Sequence, residues 1–165
     1  MTITLKSGAT FSDCRKYRYA LWRIWDDRAP KVMFIGLNPS TADEKTDDGT
    51  IRQCIGFAKR WGFGGVYMLN IFAFKATHPE NLKKSADPIG DENDMYLTRY
   101  AEKSSLIIGA WGNHGVYLNR GAAVIEMFPA MQCLKMTKMN QPSHPLYLRA
   151  DTDHQPVNSD SIRCE

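Results

Sequence analysis

The sequence predicts an α/β fold, a three-layer α/β/α sandwich with a mainly parallel central sheet. Continuous apolar runs such as "KVMFIGL" and "GGVYMLNIFAF" are typical of strands that are buried on both faces. They alternate with stretches of helical periodicity, and this alternation places helices on both faces of a parallel sheet. The chain has 165 residues without an internal repeat or a long linker, so we expect one domain over residues 1–165.

The first predicted elements flank a long polar loop. The segment "YRYALWRIW", residues 17–25, is rich in aromatic and β-branched side chains and predicts a strand that ends at the turn-forming "DDRAP". The run "KVMFIGL" follows as a buried strand. After the polar loop a helix is expected from about Thr50, because Thr50 and Gln53 have the spacing of a capping box. Gly62 and Gly64 are expected to end this helix.

The second half of the chain continues the alternation. Residues 64–74 form the next predicted strand, and the order Thr77, Pro79, Glu80 predicts a short capped helix. The remaining predicted elements are, in order, a helix over 91–103, the strand "SLIIGAWG", a helix over 116–128 and the strand "QCLKM". We expect a loose polar tail from about Asp151.

The net charge and the cysteine content bear on the ligand class and on the cellular compartment. The net charge of +3 permits a nucleic-acid ligand without requiring one. The four cysteines, Cys14, Cys54, Cys133 and Cys164, are far apart and form no CxxC pair, as is typical of reduced thiols in a cytosolic protein. The N-terminus lacks the layout of a signal peptide, and no apolar run is long enough to span a bilayer. We expect a cytoplasmic protein without membrane contact, metal or cofactor, of undetermined oligomeric state.

Four segments that follow predicted strands share a polar character. They are "GLNPSTAD", "LNIFAF", "AWGNHG" and "SHPLYL", and each places polar side chains, Gly or Pro where a parallel sheet needs only a turn. In open α/β sheets, ligands bind beyond the carboxyl ends of the strands. The sequence therefore predicts one site, to which the first segment contributes Gly36, Asn38, Pro39 and Ser40.

The order of these segments resembles the uracil-DNA glycosylase superfamily. "GLNPS" is similar to its first motif, which reads Gly-x-Asn-Pro-Gly in the mismatch-specific branch and Gly-Gln-Asp-Pro-Tyr in another. "MLN" resembles the Leu-Leu-Asn segment whose asparagine reads a pyrimidine edge. "AWG" with "NHG" resembles the Leu-Trp-Gly strand end, and "HPLYL" resembles the last motif, His-Pro-Ser, with its leucine-bearing loop.

A wider pattern covers residues 15–150 and includes "YRYALWRIW", "DDGTIR", "DPIGDEND" and "HPLYL". It resembles a bacterial and phage family known as a domain of unknown function. The chain departs from the glycosylases at three points. Asn38 stands where one branch has its water-activating aspartate, "STADEKTDDG" supplies no aromatic to stack on a flipped base, and Ser143 precedes His144 whereas the family serine follows His-Pro.

Three residues are predicted to be catalytic. His144 could donate a hydrogen bond to the oxyanion that develops on a departing base, or it could be a satisfied surface or core histidine. Asn38 could hold a water through its side-chain carbonyl, or it could form an Asx turn before Pro39. Asp43 follows the asparagine motif and is the candidate for activating that water, whereas Asp48 is expected to cap the helix.

The other predicted residues would bind substrate. Asn70 ends a strand with a donor and an acceptor that match a base edge, although it could instead satisfy the next turn. Arg52 opposes the helix dipole, which indicates a phosphate or carboxylate partner, Asp43 among the candidates. Phe74, Trp111 and Tyr147 could stack on a base or serve as core and rim packing.

Three functions follow from these patterns. The first is a glycosylase-like enzyme that recognises a base in DNA, modified bases included, and cleaves its N-glycosidic bond. The second is an enzyme that acts on free nucleotides or nucleosides, which the modest charge favours. The third is a catalytically inactive module that binds nucleic acid or a protein, which Asn38 and the missing stacking aromatic favour.

Overall fold

The fold, seen in a computed structural model that describes residues 6–157, is built on one seven-stranded sheet with helices on both faces. The strands are β1 (Lys6–Phe11), β2 (Arg18–Ile24), β3 (Lys31–Gly36), β4 (Gly65–Asn70), β5 (Leu106–Gly109), β6 (Gln132–Cys133) and β7 (Gln155–Pro156). The helices are α1 (Gly49–Arg60), α2 (Asn93–Glu102) and α3 (Arg120–Met127), with 3₁₀ helices at Pro79–Lys84, Asn113–Asn119 and Pro145–Tyr147.

The sheet is mixed, with a parallel centre. Its order is β1-β2-β4-β3-β5-β6-β7. Strand β3 pairs in parallel with β4 and β5, and β6 extends the parallel part beside β5. Strands β1, β2 and β7 pair antiparallel at the two sides. The α/β class and the parallel centre are confirmed, and the antiparallel strands are an addition to the predicted architecture.

Two apolar clusters hold the layers together. On one face of the sheet, Phe34 and Met68 pack with Ile51 and Phe57 of α1. On the other face, strand residues such as Ile35 pack against α2 and α3. Because side chains alternate between faces, β3 is apolar on both sides, and this explains why "KVMFIGL" reads as a continuous apolar run.

Two helix starts differ from the prediction. Helix α1 begins at Gly49, and its N-cap is Asp48, whose Oδ1 accepts the N–H of Ile51 at 2.9 Å, so the capping box at Thr50 is wrong. A carboxylate at this position satisfies a free amide and interacts favourably with the helix dipole. Pro79 occupies the first position of its 3₁₀ helix, which puts His78 rather than Thr77 at the N-cap.

Several boundaries are also corrected. The predicted helix over 116–128 is α3 preceded by a 3₁₀ helix, and the two are separated where Leu118 and Asn119 have positive φ. Strand β4 ends at Asn70 rather than at 74, and "QCLKM" contributes only two strand residues. The tail expected to be loose from Asp151 pairs with β6 through Gln155–Pro156, and its residues beyond 157 lie outside the described part.

Strand β1 has no counterpart in the prediction. It lies at the edge of the sheet, and its residues are half-buried or exposed, so it carries no apolar run. Among residues 6–157, no helix has both the length and the apolar character to cross a membrane.

Candidate functional site

A cleft of about 880 Å³ opens at the carboxyl ends of β3 and β4. This is the edge where ligands bind in open α/β sheets. Its walls come from segments that are far apart in the chain: the start of β2, the polar loop with the first turn of α1, the end of β4, residues 76–79, residues 111–114, residues 135–138 and residues 143–148. All four strand-end segments therefore contribute residues to this one cleft, as the sequence predicts.

The floor of the cleft consists of the lining residues that are buried. They are Arg18, Leu37, Ile51, Met68, Asn70 and Trp111. Most of these side chains are apolar, and the polar groups are few. Small-molecule sites have this composition, with an apolar wall and a small number of polar groups that orient the ligand.

The cleft brings together the three residues on which the predicted chemistry depends most. Asn38, Asn70 and His144 all line it, as do Gly36 and Ser40. These residues come from two neighbouring strand ends and from a loop more than 70 positions further along the chain. Pro39 does not line the cleft. It is buried, and its carbonyl accepts the N–H of Ala76 at 3.0 Å, which gives it a structural role.

Asn70 presents an unused amide at the floor. Its side chain is 5% exposed, and Nδ2 has no hydrogen-bond partner within the described residues. The amide therefore does not satisfy the following turn, whose backbone is held by Asn93 Nδ2 donating to the Asn70 carbonyl at 2.8 Å. Gly36 pairs beside Asn70, and a Cβ there would lie 2.9 Å from Asn70 Oδ1. The glycine leaves room for the amide.

Asn38 is fixed in orientation by two hydrogen bonds. Its Nδ2 donates to the carbonyl of Ala76 at 2.7 Å and to that of Pro39 at 3.0 Å. These bonds tie the polar loop to the segment that follows β4. Since the amide nitrogen is engaged, Oδ1 is the group left to accept a hydrogen bond from a ligand or a water.

His144 is held as a neutral hydrogen-bond donor. It caps the 3₁₀ helix Pro145–Tyr147, and its Nδ1 accepts the N–H of Leu146 at 3.3 Å. The neutral ring then carries its proton on Nε2. Burial lowers the pKa of His144, and the negative charge of Asp48 opposes that shift without cancelling it. At neutral pH the ring is uncharged, with Nε2–H as its remaining donor.

The carboxylate in the cleft is Asp48 rather than Asp43. Asp43 does not line the cleft, because its Oδ1 accepts the N–H groups of Lys45 and Thr46 at 2.9 and 2.8 Å, and these bonds lower its pKa. The prediction that placed Asp43 inside the cleft is therefore wrong. Asp48 caps α1 as predicted and also lines the cleft, where its charge acts on His144 and Arg18.

Arg52 and Phe74 lie outside the cleft. Arg52 is exposed, and its Nη1 donates to the carbonyl of Asp47 at 3.1 Å instead of contacting Asp43 or facing the site. Phe74 packs edge-on against Tyr17 and borders a shallow groove that adjoins the cleft and shares four of its lining residues. Arg52 lies in the first turn of α1, and Phe74 comes four residues after β4 has ended.

Of the predicted stacking residues, only Tyr147 is free to cover a ligand ring. Trp111 is 1% exposed, and its Nε1 donates to Gln141 Oε1 at 2.9 Å, so it is packed into the floor of the cleft. Tyr147 is 86% exposed at the rim, and its ring centroid is 5.7 Å from that of His144. The structure thus gives Trp111 the role of core packing and leaves Tyr147 at the entrance.

The sequence patterns did not indicate Arg18, which is 4% exposed and lines the cleft. Arginines at two positions of a strand whose other residues are apolar or aromatic, Arg18 and Arg23, are a signal for buried cations, but the sequence does not say where each side chain points. In the described part of the chain, no group of three or more His, Cys, Asp or Glu side chains is arranged to hold a metal.

Comparison with known proteins gives one result. Residues 18–146 match a family whose description is "Protein of unknown function (DUF1643)". The predicted membership of a family of unknown function is therefore confirmed. No curated protein and no solved structure matches the chain.

Proposed function

We propose that this chain, which belongs to the DUF1643 family, is a glycosylase-like enzyme that recognises a nucleobase in DNA and cleaves its N-glycosidic bond. The observation that carries the proposal is that Asn38, Asn70 and His144 line one cleft with room for a base. The motif order that resembles the uracil-DNA glycosylases adds support. A glycosylase-like arrangement of the sandwich is part of the same proposal.

Base recognition falls to Asn70. Its side chain offers both a donor, Nδ2, and an acceptor, Oδ1, and one planar base edge can match both. The donor is buried and has no partner among residues 6–157. A buried amide without a partner costs free energy, and a ligand that accepts its hydrogen bond recovers that cost. The same argument explains discrimination, because a base that lacks the matching acceptor leaves Nδ2 unpaired.

Cleavage requires stabilisation of a charge separation. As the bond between the sugar C1′ and the base nitrogen breaks, its electron pair leaves with the base, and positive charge develops on the sugar. His144 Nε2–H donates a hydrogen bond to the developing oxyanion, and the positive charge of Arg18 lies in the same cleft. Preorganised donors of this kind act on the transition state more than on the ground state.

The attacking water is assigned to Asp48 and Asn38. The Asn38 Oδ1 accepts a hydrogen bond from the water and positions it. The water oxygen bonds to C1′ while the Asp48 carboxylate accepts a proton from that water. The departing base then takes up a proton from solvent. Asp48 thereby takes the role that the sequence had assigned to Asp43.

A second candidate is an enzyme for free nucleotides with the same pocket. The observation that favours it is the buried Arg18 at the floor, together with a net charge of only +3, which is modest for a protein that must hold a DNA backbone. The chemistry at C1′ would be the same, and only the size of the substrate would differ.

The test is an assay for abasic sites on single-stranded and duplex oligonucleotides that carry varied and modified bases. We expect cleavage of one base type, and a loss of about 100-fold or more for His144→Ala and Asn70→Ala. Asp43→Asn is the matched control and should retain activity, because Asp43 lies outside the cleft. Release of base from a nucleotide pool alone would favour the second candidate. Tight DNA binding without turnover, unchanged by both alanine variants, would contradict both enzymatic proposals.

A further inference from the structure

Arg18 is the buried arginine that lacks a carboxylate partner in the described part of the chain. Three arginines there are buried: Arg18, Arg23 and Arg120. Arg23 pairs with Asp47 at 2.8 Å and donates to several backbone carbonyls, and Arg120 pairs with Asp94. Within residues 6–157, the Arg18 guanidinium makes a single hydrogen bond, from Nη1 to the carbonyl of Ala42 at 3.1 Å, and its buried Nε has no partner.

An unpaired buried cation is costly, which is why such groups are normally paired or hydrogen-bonded. Burial lowers the pKa of Arg18 to about 10, and the charge of Asp48 only partly offsets this effect. The side chain therefore still carries its charge at neutral pH. Among residues 6–157, the hydrogen bond to the Ala42 carbonyl leaves the buried Nε without an acceptor, so a structural role alone does not account for the residue.

A β-bulge aims Arg18 at the cleft. In the pairing of β1 with β2, Thr10 lies opposite Ala20 and Phe11 lies opposite Arg18, which leaves Tyr19 as an extra residue. With regular alternation Arg18 would share the face of Ala20, which packs in the cluster on the side of α2 and α3. The extra residue turns Arg18 to the α1 side, where it reaches the carbonyl of Ala42 and the cleft. Bulges next to sites commonly redirect a side chain in this way.

The charges around the cleft favour an anion. Lys135 and Lys138 line it from the exposed rim, and Arg18 lies at the floor, whereas Asp48 is the one carboxylate that lines it within residues 6–157. Asn70 Nδ2 adds a second buried donor without a protein acceptor. Two unused donors at the floor match a group that carries several acceptor oxygens. A guanidinium in particular can bind such a group through two parallel hydrogen bonds.

We propose that Arg18 is the receptor for an anionic oxygen group, a phosphate or a carboxylate, that is part of the substrate. The inference rests on the proposed function and specifies its substrate class as an acidic nucleotide or an acidic base rather than a neutral nucleoside. Two sources of the group are consistent with a position at the floor. One is the terminal phosphate of a free nucleotide. The other is a carboxylate on a modified base, because the backbone phosphates of DNA stay outside when a single base enters a cleft.

The experiment measures binding and needs no turnover. Wild-type protein is titrated with 2′-deoxyuridine 5′-monophosphate, 5-carboxy-2′-deoxyuridine and unmodified 2′-deoxyuridine, by calorimetry and by the shift in Tm. We expect one of the two acidic ligands to bind about tenfold more tightly than 2′-deoxyuridine, or better, and the identity of that ligand reveals the source of the charge. Arg18→Gln should abolish this preference. Lys135→Gln and Lys138→Gln remove a rim charge each and should preserve most of it.

A second readout separates binding from structure. If Arg18 serves the ligand, the ligand-free Tm of Arg18→Gln equals or exceeds that of wild type, because an unpaired buried charge has been removed. Arg18→Met, of similar volume, gives the same comparison should the glutamine variant fail to fold. Equal affinity for acidic and neutral ligands, no binding of either acidic ligand, or a preference that is lost with the lysines instead of Arg18 would overturn the proposal. If wild-type protein binds an acidic ligand through Arg18 but releases no base in the abasic-site assay, only the proposed reaction is contradicted, and the role of Arg18 is not.

Discussion

At the scale of single residues, Asp48 has an observed structural role, and we propose a chemical role for it as well. It caps α1 through Oδ1 and lines the cleft near His144 and Arg18. Asparagine caps helices about as well as aspartate but does not act as a base. Two substitutions therefore separate the two roles.

We expect Asp48→Ala to lower the free energy of unfolding by about 1 kcal/mol, because the amide of Ile51 loses its acceptor. Asp48→Asn should keep the stability close to that of wild type. Both variants should lose base release. Asp48→Ala removes the helix cap and the negative charge, whereas Asp48→Asn removes the negative charge alone. Urea unfolding and the abasic-site assay measure the two effects, and an active Asp48→Asn would remove Asp48 from the chemistry.

His144 should make stability depend on pH. Its folded-state pKa is lowered by burial, so between the unfolded value near 6.5 and the folded value the unfolded chain binds the proton and the folded chain does not. The contribution of His144 to the free energy of unfolding is therefore fully present above about pH 6.5. It declines as the pH falls toward the folded-state pKa and levels off below that value. His144→Gln lacks this contribution. Urea unfolding over about pH 5 to 8 should show the wild type losing stability relative to the variant on acidification, and parallel curves would contradict the assignment.

The residue scale also shows where sequence information stops. Asn38, Asn70 and His144 could be predicted because strand ends in parallel sheets face one edge. Which carboxylate lines the cleft, that of Asp43 or that of Asp48, could not be predicted, because this depends on which backbone N–H groups each carboxylate accepts. Arg18 could not be assigned a direction, because one extra residue in β2 reverses the side of the sheet that it faces.

At the scale of secondary-structure elements, the close pairing of β3 with β4 sets the position of Asn70. Gly36 and Asn70 end the two strands side by side, and a Cβ at residue 36 would approach Asn70 Oδ1 to 2.9 Å. The contact involves the end of a side chain instead of backbone. An added methyl group would therefore move the amide rather than part the strands.

We expect Gly36→Ala to weaken ligand binding by about tenfold or more, because Asn70 no longer meets the base edge, with a smaller effect on Tm. Gly49→Ala is the matched control at the cleft. A Cβ there would lie at an ordinary 3.4 Å from Leu146 Cδ2, so both affinity and Tm should be retained. Calorimetry on both variants decides the point, and unchanged affinity in Gly36→Ala would argue against Asn70 as the recognition residue.

Element prediction succeeded where burial is complete and failed where it is partial. Strand β3 is apolar on both faces, and its continuous apolar run identifies it as a buried strand in the sequence. Strand β1 has half-buried and exposed residues at an edge, and β7 is a two-residue strand that gains its place by pairing with β6. Such strands depend on partners distant in sequence and leave no periodic signal in their own residues.

At the scale of the whole molecule, the topology assembles the site. The parallel centre directs the ends of β3 and β4 to one edge, and the loops after β5 and β6 close the cleft from the other side. The fold class and the position of the site follow from this arrangement and could be predicted. The volume of the cleft and the balance of charge on its floor depend on packing between distant segments, so only the structure provides them.

The most direct test of the account is a crystal structure of the protein soaked with 2′-deoxyuridine 5′-monophosphate or 5-carboxy-2′-deoxyuridine. We expect the base to lie in the cleft, with its edge hydrogen-bonded to the Asn70 side chain, His144 Nε2 facing a base oxygen and the acidic group on Arg18. A ligand that binds elsewhere on the surface, or that lies in the cleft without contacting Asn70 and His144, would contradict it.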